Sequence, residues 1–411
     1  MRIVFFSHYY PPEVNAPATR TSEHCREWVR SGHQVTVVTC APNHPSGKIY
    51  PGYRNRLFQR ETIDGVEVVR VWTFLAANEG FLLRILNYVS YLVSATIALP
   101  WLPRPDVIVS TSPQFFCGLT GFAAMVLRRV PWVLEIRDLW PESIVTVGAM
   151  RKGILIRFLE RLEALAYRRA HRVVAVTDSF VPHIAERSGD AAKVTVIKNG
   201  VDLTRFNRSG SRDEAKRALG LECKFVAAYV GTHGVAHGLD TILQAARLLA
   251  DDPRIMFLMV GDGAERARLV ARAEELGLAN VRFLGQRPAS EMPTLWGATD
   301  AGLILLRRND LFKKVLPSKM FEAMAMECPI VLGVEGEAKE LLYAAGAGIA
   351  IAPESAEELA AAVVRLAGDA EFAARLGRSG KAHVRAHYDR AKLAQRYLEL
   401  LGETADAHRA R

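Results

Sequence analysis

Cysteine is scarce in this chain, and its placement excludes most cysteine chemistry. Five are present, Cys25, Cys40, Cys117, Cys223 and Cys328, an odd number with no C-x-x-C pair. Most sit in apolar stretches, which argues for reduced, buried thiols and against a disulfide frame or a zinc site. No D-x-D pair occurs. A divalent metal held between such carboxylates is therefore not expected, and neither is a cofactor. The N-terminus runs straight into MRIVFF with no basic-then-apolar export signal, so the expected location is the cytoplasm. Acidic residues are short in one half only. Residues 1–200 hold 24 Lys and Arg against 16 Asp and Glu, a net of +8 out of the chain's +9. An excess confined to one half points to an anionic partner for that half. Lipid phosphate and nucleic acid both qualify on charge alone, and plain solubilising charge is the competing explanation.

Long apolar runs are also rare. One stretch, residues 81–102, carries a single charge, Arg84. Its length is near what spanning a bilayer requires. But Arg84, Asn87, Tyr91 and Ser94 recur at helical spacing, which predicts one polar face. The stretch also falls between strands of one sheet, which a spanning helix would split. The expectation is a buried crossover helix or one lying on a membrane surface.

What is present is a regular alternation. Apolar strand-like segments at 2–7, 34–40, 66–72, 107–110, 132–136, 173–176 and 194–197 are mostly separated by helical stretches. The pattern restarts at 225–230 and continues through 255–260, 281–284 and 301–305. Strands alternating with helices give an α/β fold with doubly wound parallel sheets, and 411 residues suit two such domains. The expected division is 1–198 and 199–384, with a C-terminal helix over 385–405 packing back on the first domain.

Three segments of the second half carry chemistry. In LPSKMFEAMAMECPIVLG, Ser318 is expected to cap a helix whose N-terminus can hold a phosphate. Lys319 adds charge there, and Glu322, one turn in, can accept hydrogen bonds from a ribose diol. In VGTHGVAHGLD, Gly231 lets backbone approach a diphosphate, with Thr232, His233 and His237 beside it. VGDG puts Gly261, Asp262 and Gly263 at a strand's carboxyl end, where ligands gather in open α/β sheets. In the first half, Glu13, Asn15 and Arg20 of HYYPPEVNAPATR are expected to face an acceptor across an interdomain cleft. Arg137 and Asp138 of EIRDLWPES follow a strand and are the expected catalytic groups, with Lys319. As competing explanations, Asp138 caps its own turn and Arg20 pairs an acid.

Together these segments resemble the family-4 retaining glycosyltransferases over nearly the whole chain. VIKNGVDLTRF is similar to that family's interdomain signature. VGDG, LGQRPASEMPTLWGATDAGLILL, FEAMAMECPIVLG and GAGIAIAPES follow in its usual order. The opening YYPPEVNAPATR and the RDLWPES segment resemble its bacterial O-antigen and capsule branch, which includes fucosamine-type transferases. The resemblance implies the GT-B architecture, two Rossmann-like domains facing across a cleft. It also implies a UDP-sugar donor and retention at the anomeric carbon. Two departures stand out. The family's paired glutamates eight positions apart are here Lys314 and Glu322, and its loop Arg and Lys are Thr232 and His237. Lys319 is expected to replace the lost cation. The resulting expectation is a metal-independent, hexosyltransferase-type enzyme of the cytoplasmic membrane face. It would act on a polyprenyl-diphosphate-linked acceptor, dock on an anionic membrane surface and bind no nucleic acid. A sugar-nucleotide epimerase and a non-catalytic nucleotide-sugar-binding subunit are the alternatives. The docking surface is expected on 81–102 and on a basic helix over 151–172.

Overall fold

The computed structural model describes residues 1–44, 46–76, 81–112, 114–143, 153–208 and 210–410, and for residues 81 and 82 the backbone alone. The chain divides into two compact units, Met1–Lys198 with Arg390–Arg411, and Asn199–Asp389.

The first unit is built on eight strands: β1 (Arg2–Phe6), β2 (Gln34–Cys40), β3 (Phe58–Ile63), β4 (Val66–Val71), β5 (Val107–Thr111), β6 (Trp132–Ile136), β7 (Arg172–Ala175) and β8 (Val194–Val196). Their order is β3-β4-β2-β1-β5-β6-β7-β8. All neighbours are parallel except β3 and β4. That hairpin was not anticipated, although its signal is there. Asp64 and Gly65 both have positive φ, as a two-residue hairpin turn requires. The central strands are buried on both sides, which is why they read as near-continuous Val, Ile and Phe.

Helices cover both faces of this sheet. Helix α1 (Ala16–Arg30) lies on one face with the C-terminal helix α14 (Arg390–Arg409), where the Trp28 indole donates to the Ala394 carbonyl at 2.9 Å. On the other face lie α2 (Phe81–Ala98), α3 (Phe115–Arg128), α4 (Ile154–Arg169) and α5 (Val181–Ser188). The polar face expected of 81–102 is inverted. Asn87 and Tyr91 are buried against the sheet, where Asn87 donates to the Phe74 carbonyl at 2.5 Å and Tyr91 to the Val38 carbonyl at 2.7 Å. Leu83, Leu86, Val93 and Ile97 stand exposed instead. The expected basic helix is also shorter. Arg172 belongs to β7, and Arg151 and Lys152 lie outside the described residues.

The second unit has six parallel strands: β9 (Phe225–Val230), β10 (Ile255–Val260), β11 (Val281–Gly285), β12 (Ala301–Leu305), β13 (Ile330–Gly333) and β14 (Gly348–Ala350). Their order is β11-β10-β9-β12-β13-β14. Its helices are α6 (Arg212–Ala218), α7 (Asp240–Leu248), α8 (Arg266–Glu275), α9 (Met292–Gly297), α10 (Lys319–Ala325), α11 (Glu337–Ala345), α12 (Ala356–Gly368) and α13 (Ala370–His387). Two apolar layers sandwich the sheet. All five cysteines are free, and Cys223 alone among them is exposed.

Candidate functional site

The strand order of the second unit reverses between β9 and β12, and a doubly wound sheet opens its ligand crevice at such a point, beyond the strands' carboxyl ends. Two glycine-bearing loops meet there. The Gly231 N–H donates to the Val260 carbonyl at 2.9 Å, and the His233 N–H to the Asp262 carbonyl at 2.9 Å. A Cβ on Gly261 would lie 1.9 Å from the Gly231 carbonyl oxygen, and one on Gly263 2.5 Å from that of His233. These two glycines are therefore required by loop packing on loop. Asp262 turns back on its own loop and accepts from the Gly263 N–H at 2.8 Å.

Gly231 has a different neighbour. A Cβ there would sit 2.9 Å from the Lys319 ammonium. Lys319 starts α10 and lays its Nζ 3.7 Å from the centre of the Tyr229 ring. Tyr229 is fixed by its own hydroxyl, which donates to the Thr232 carbonyl at 2.8 Å. The Lys319 Nζ is enclosed and makes no hydrogen bond among the described residues. Burial brings its pKa down to about 7, with Glu322 pulling the other way. Ser318 occupies the expected cap position with helical backbone angles, and its side chain makes no capping bond. Glu322 accepts from the Trp296 indole at 3.0 Å. His233 is fully buried with both ring nitrogens unpartnered among the described residues. Burial pushes its pKa to about 4 and that of His237 to about 3, so both are neutral near physiological pH. The site therefore combines one enclosed amine, two neutral imidazoles and one aligned carboxylate. Tyr229, Trp296 and Arg266, whose charge bears on His233, were not anticipated.

The first-unit residues fare differently. Arg20 is buried in an ion pair. It donates through Nε and Nη2 to one Glu135 oxygen at 3.1 and 3.0 Å, and to the carbonyls of Ile197 and Lys198. Glu13 is likewise buried, where Oε1 accepts from the backbone N–H groups of Asn43 and His44, both at 2.9 Å. Asn15 caps α1, its Oδ1 accepting from the Ala18 N–H at 2.9 Å. All three serve the fold, because a buried charge or a helix end needs partners before it can serve a ligand. Arg137 gives Nη2 to the Ala16 carbonyl at 3.0 Å and keeps an enclosed Nη1 without a partner among the described residues. Burial lowers its pKa to about 9 against the pull of Glu135. Asp138 is raised by burial and accepts from the Ser143 hydroxyl and the Leu139 N–H, so it caps its own turn. It lines a cavity of ≈ 20 Å³ with Ser112, Phe115, Trp140, Glu163 and Tyr167. No group of three or more His, Cys, Asp or Glu among the described residues is arranged to hold a metal.

Comparison with known proteins adds the family. Residues 15–200 match the glycosyl transferase 4-like domain, and residues 211–383 match glycosyl transferases group 1. The chain is 26% identical to the putative colanic acid biosynthesis glycosyl transferase WcaI of Escherichia coli (strain K12), over 88% of this chain and 91% of that one. Among solved structures, sucrose-phosphate synthase from Thermosynechococcus elongatus superposes with a TM-score of 0.79 at 18% identity, covering 99% of each chain. Anabaena HepE in complex with UDP and glucose superposes with a TM-score of 0.72 at 19% identity, over 98% of this chain and 99% of that one. The chain belongs to the family-4 glycosyltransferases and has their GT-B fold.

Proposed function

We propose that this glycosyltransferase takes a sugar from a UDP-sugar and places it, with retention, on a lipid-linked saccharide in cell-surface polysaccharide synthesis. An N-acetylated deoxyhexosamine is the donor sugar we favour. The observation that carries the reading is the Lys319 ammonium, enclosed at the switch point of the second sheet with no hydrogen-bond partner among the described residues. A buried amine that has lost water and gained no acceptor is a poor structural device and a good anion receptor. Lys319 would meet the diphosphate, whose charge grows as the glycosidic bond breaks. Neutral His233 can donate one ring N–H to it without adding charge, while the His237 Nδ1–H is turned to the Leu305 carbonyl at 3.4 Å. Glu322, aimed by Trp296, would take the ribose diol. Arg137, whose Nη1 has no partner among the described residues, is the first-unit group we retain for the acceptor. The colanic acid relative supports the polysaccharide context, and the UDP complex of HepE supports the choice of nucleotide.

The test is UDP release from a panel of UDP-sugars, with and without a polyprenyl-diphosphate-linked saccharide. Acceptor-dependent release supports the reading. A new sugar isomer formed without acceptor would make the protein an epimerase. Binding without turnover would make it a non-catalytic subunit.

A further inference from the structure

We propose that one side of the first unit is a membrane-inserting surface, formed by the outward faces of α2, α3 and α4 and committed to an anionic lipid bilayer. These three helices share one face of the sheet. The outer surface of α2 is the reverse of an ordinary amphipathic helix. Two of its polar side chains, Asn87 and Tyr91, are spent on backbone carbonyls inside, while Leu83, Leu86, Val93 and Ile97 stand in solvent, Ile97 at 62% exposure. Trp101 continues the stripe just beyond the helix end at 61%. From α3 it is joined by Val126 and Leu127, and from α4 by Ile154, Leu155 and Phe158. Among the described residues, fourteen of the 18 exposed large hydrophobics belong to the first unit, so the pattern is local and not a general feature of the surface.

Charge chooses the occupant. Helices α2 and α3 contain no acidic residue at all. The exposed charges along the stripe are arginines: Arg84, Arg104, Arg129, Arg157 and Arg161. Of the two acids on α4, Glu163 is buried and bonded to Tyr167 and Arg187, and Glu160 is half-buried. A patch of large apolar side chains edged by arginines, with a tryptophan at one end, matches the interface of an anionic bilayer, where apolar groups enter the acyl region and cations meet lipid phosphate. The helix stretch Leu83–Trp101 is long and apolar enough to cross a membrane by composition. Its inner side is nonetheless packed on the sheet through Tyr88, Tyr91 and Ala95, so it lies in the plane of the surface. This proposal stands apart from the donor chemistry, and its failure would leave the transferase reading intact.

Flotation of the full chain with vesicles separates the two components. The protein is expected to float with phosphatidylglycerol-containing vesicles, with part of the binding surviving high salt because it is apolar burial. Leu86→Ser, Val93→Ser and Ile97→Ser combined should remove the salt-resistant part and lower partitioning by about tenfold or more. Arg157→Glu with Arg161→Glu should remove the salt-sensitive part. All five positions are exposed, and unchanged melting would confirm that the variants fold. Wild-type protein that fails to float, or an apolar triple variant that floats like wild type, would overturn the proposal. So would dimerisation in solution that the triple variant abolishes, since the stripe would then be covered by a second copy.

Discussion

Burial removes water from the Lys319 amine and brings its pKa down to about 7. A bound diphosphate would stabilise the ammonium and raise that pKa. Linkage then fixes the sign: UDP binds most tightly below pH 7, where the lysine is already charged, and weakens as pH rises, by at most about tenfold per unit. Above pH 7 each UDP should bring up to about one proton with it. Calorimetry in two buffers of different ionisation enthalpy measures that uptake directly. Wild type should take up a proton and Lys319→Gln should not, and equal uptake by the two would remove Lys319 from the diphosphate. His233 and His237 titrate far too low to supply the same signal. At the next turn, Glu322→Ala should weaken UDP binding by about 1–3 kcal/mol, as for a lost hydrogen bond to a charged group. Unchanged affinity would end its ribose assignment. Lys319 and Glu322 were legible in the sequence because they stand in one short motif at a helix start. Tyr229 and Trp296 were not, since a strand Tyr and a helix Trp look like core in any sequence. Only the tertiary fold shows which atoms they hold.

Single elements were read better by type than by facing. Helix α2 was recognisable from its periodicity, which reveals two faces and not which of them is turned inward. The buried face is the one whose polar atoms could be satisfied, Tyr91 by Val38 and Asn87 by Phe74, and that choice leaves Leu83 and Leu86 outside. Helix α1 hid a different fact. Arg20 closes on Glu135 across 115 positions and ties α1 to β6 and to the end of the sheet. No local pattern announces a pair so distant. Burial alone would raise the Glu135 carboxyl, but Arg20, Arg137 and hydrogen bonds outweigh it and hold the pKa below its ordinary value. A depressed carboxylate pKa contributes stability above the unfolded pKa, and that stability is lost as pH falls through the folded value. Glu135→Gln should leave two buried guanidinium groups short of their carboxylate and cost about 3–5 kcal/mol in urea unfolding. A loss below about 1 kcal/mol would mean water already compensates the pair.

At the scale of the whole molecule, both units carry the same doubly wound core, with strand order β4-β2-β1-β5-β6-β7 in the first and β11-β10-β9-β12-β13-β14 in the second. Alternation of strand and helix made this architecture legible, because buried parallel strands must be apolar on both sides. The difference between the two halves was legible only as charge, a net of +8 in residues 1–200 against +1 in the remainder. The structure gives the charge a surface, α2 to α4, and gives the second unit an enclosed amine at its switch point. Transfer itself is the claim on which the account turns. It is measured most directly by incubating the protein with radiolabelled UDP-N-acetylated sugar and a polyprenyl-diphosphate-linked saccharide, then extracting the lipid and determining the anomeric configuration of the new bond. The account predicts lipid-extractable label that requires the acceptor, in a product with the donor's own anomeric configuration. Label that stays entirely in the aqueous phase across the donor panel, or a product of inverted configuration, would contradict it.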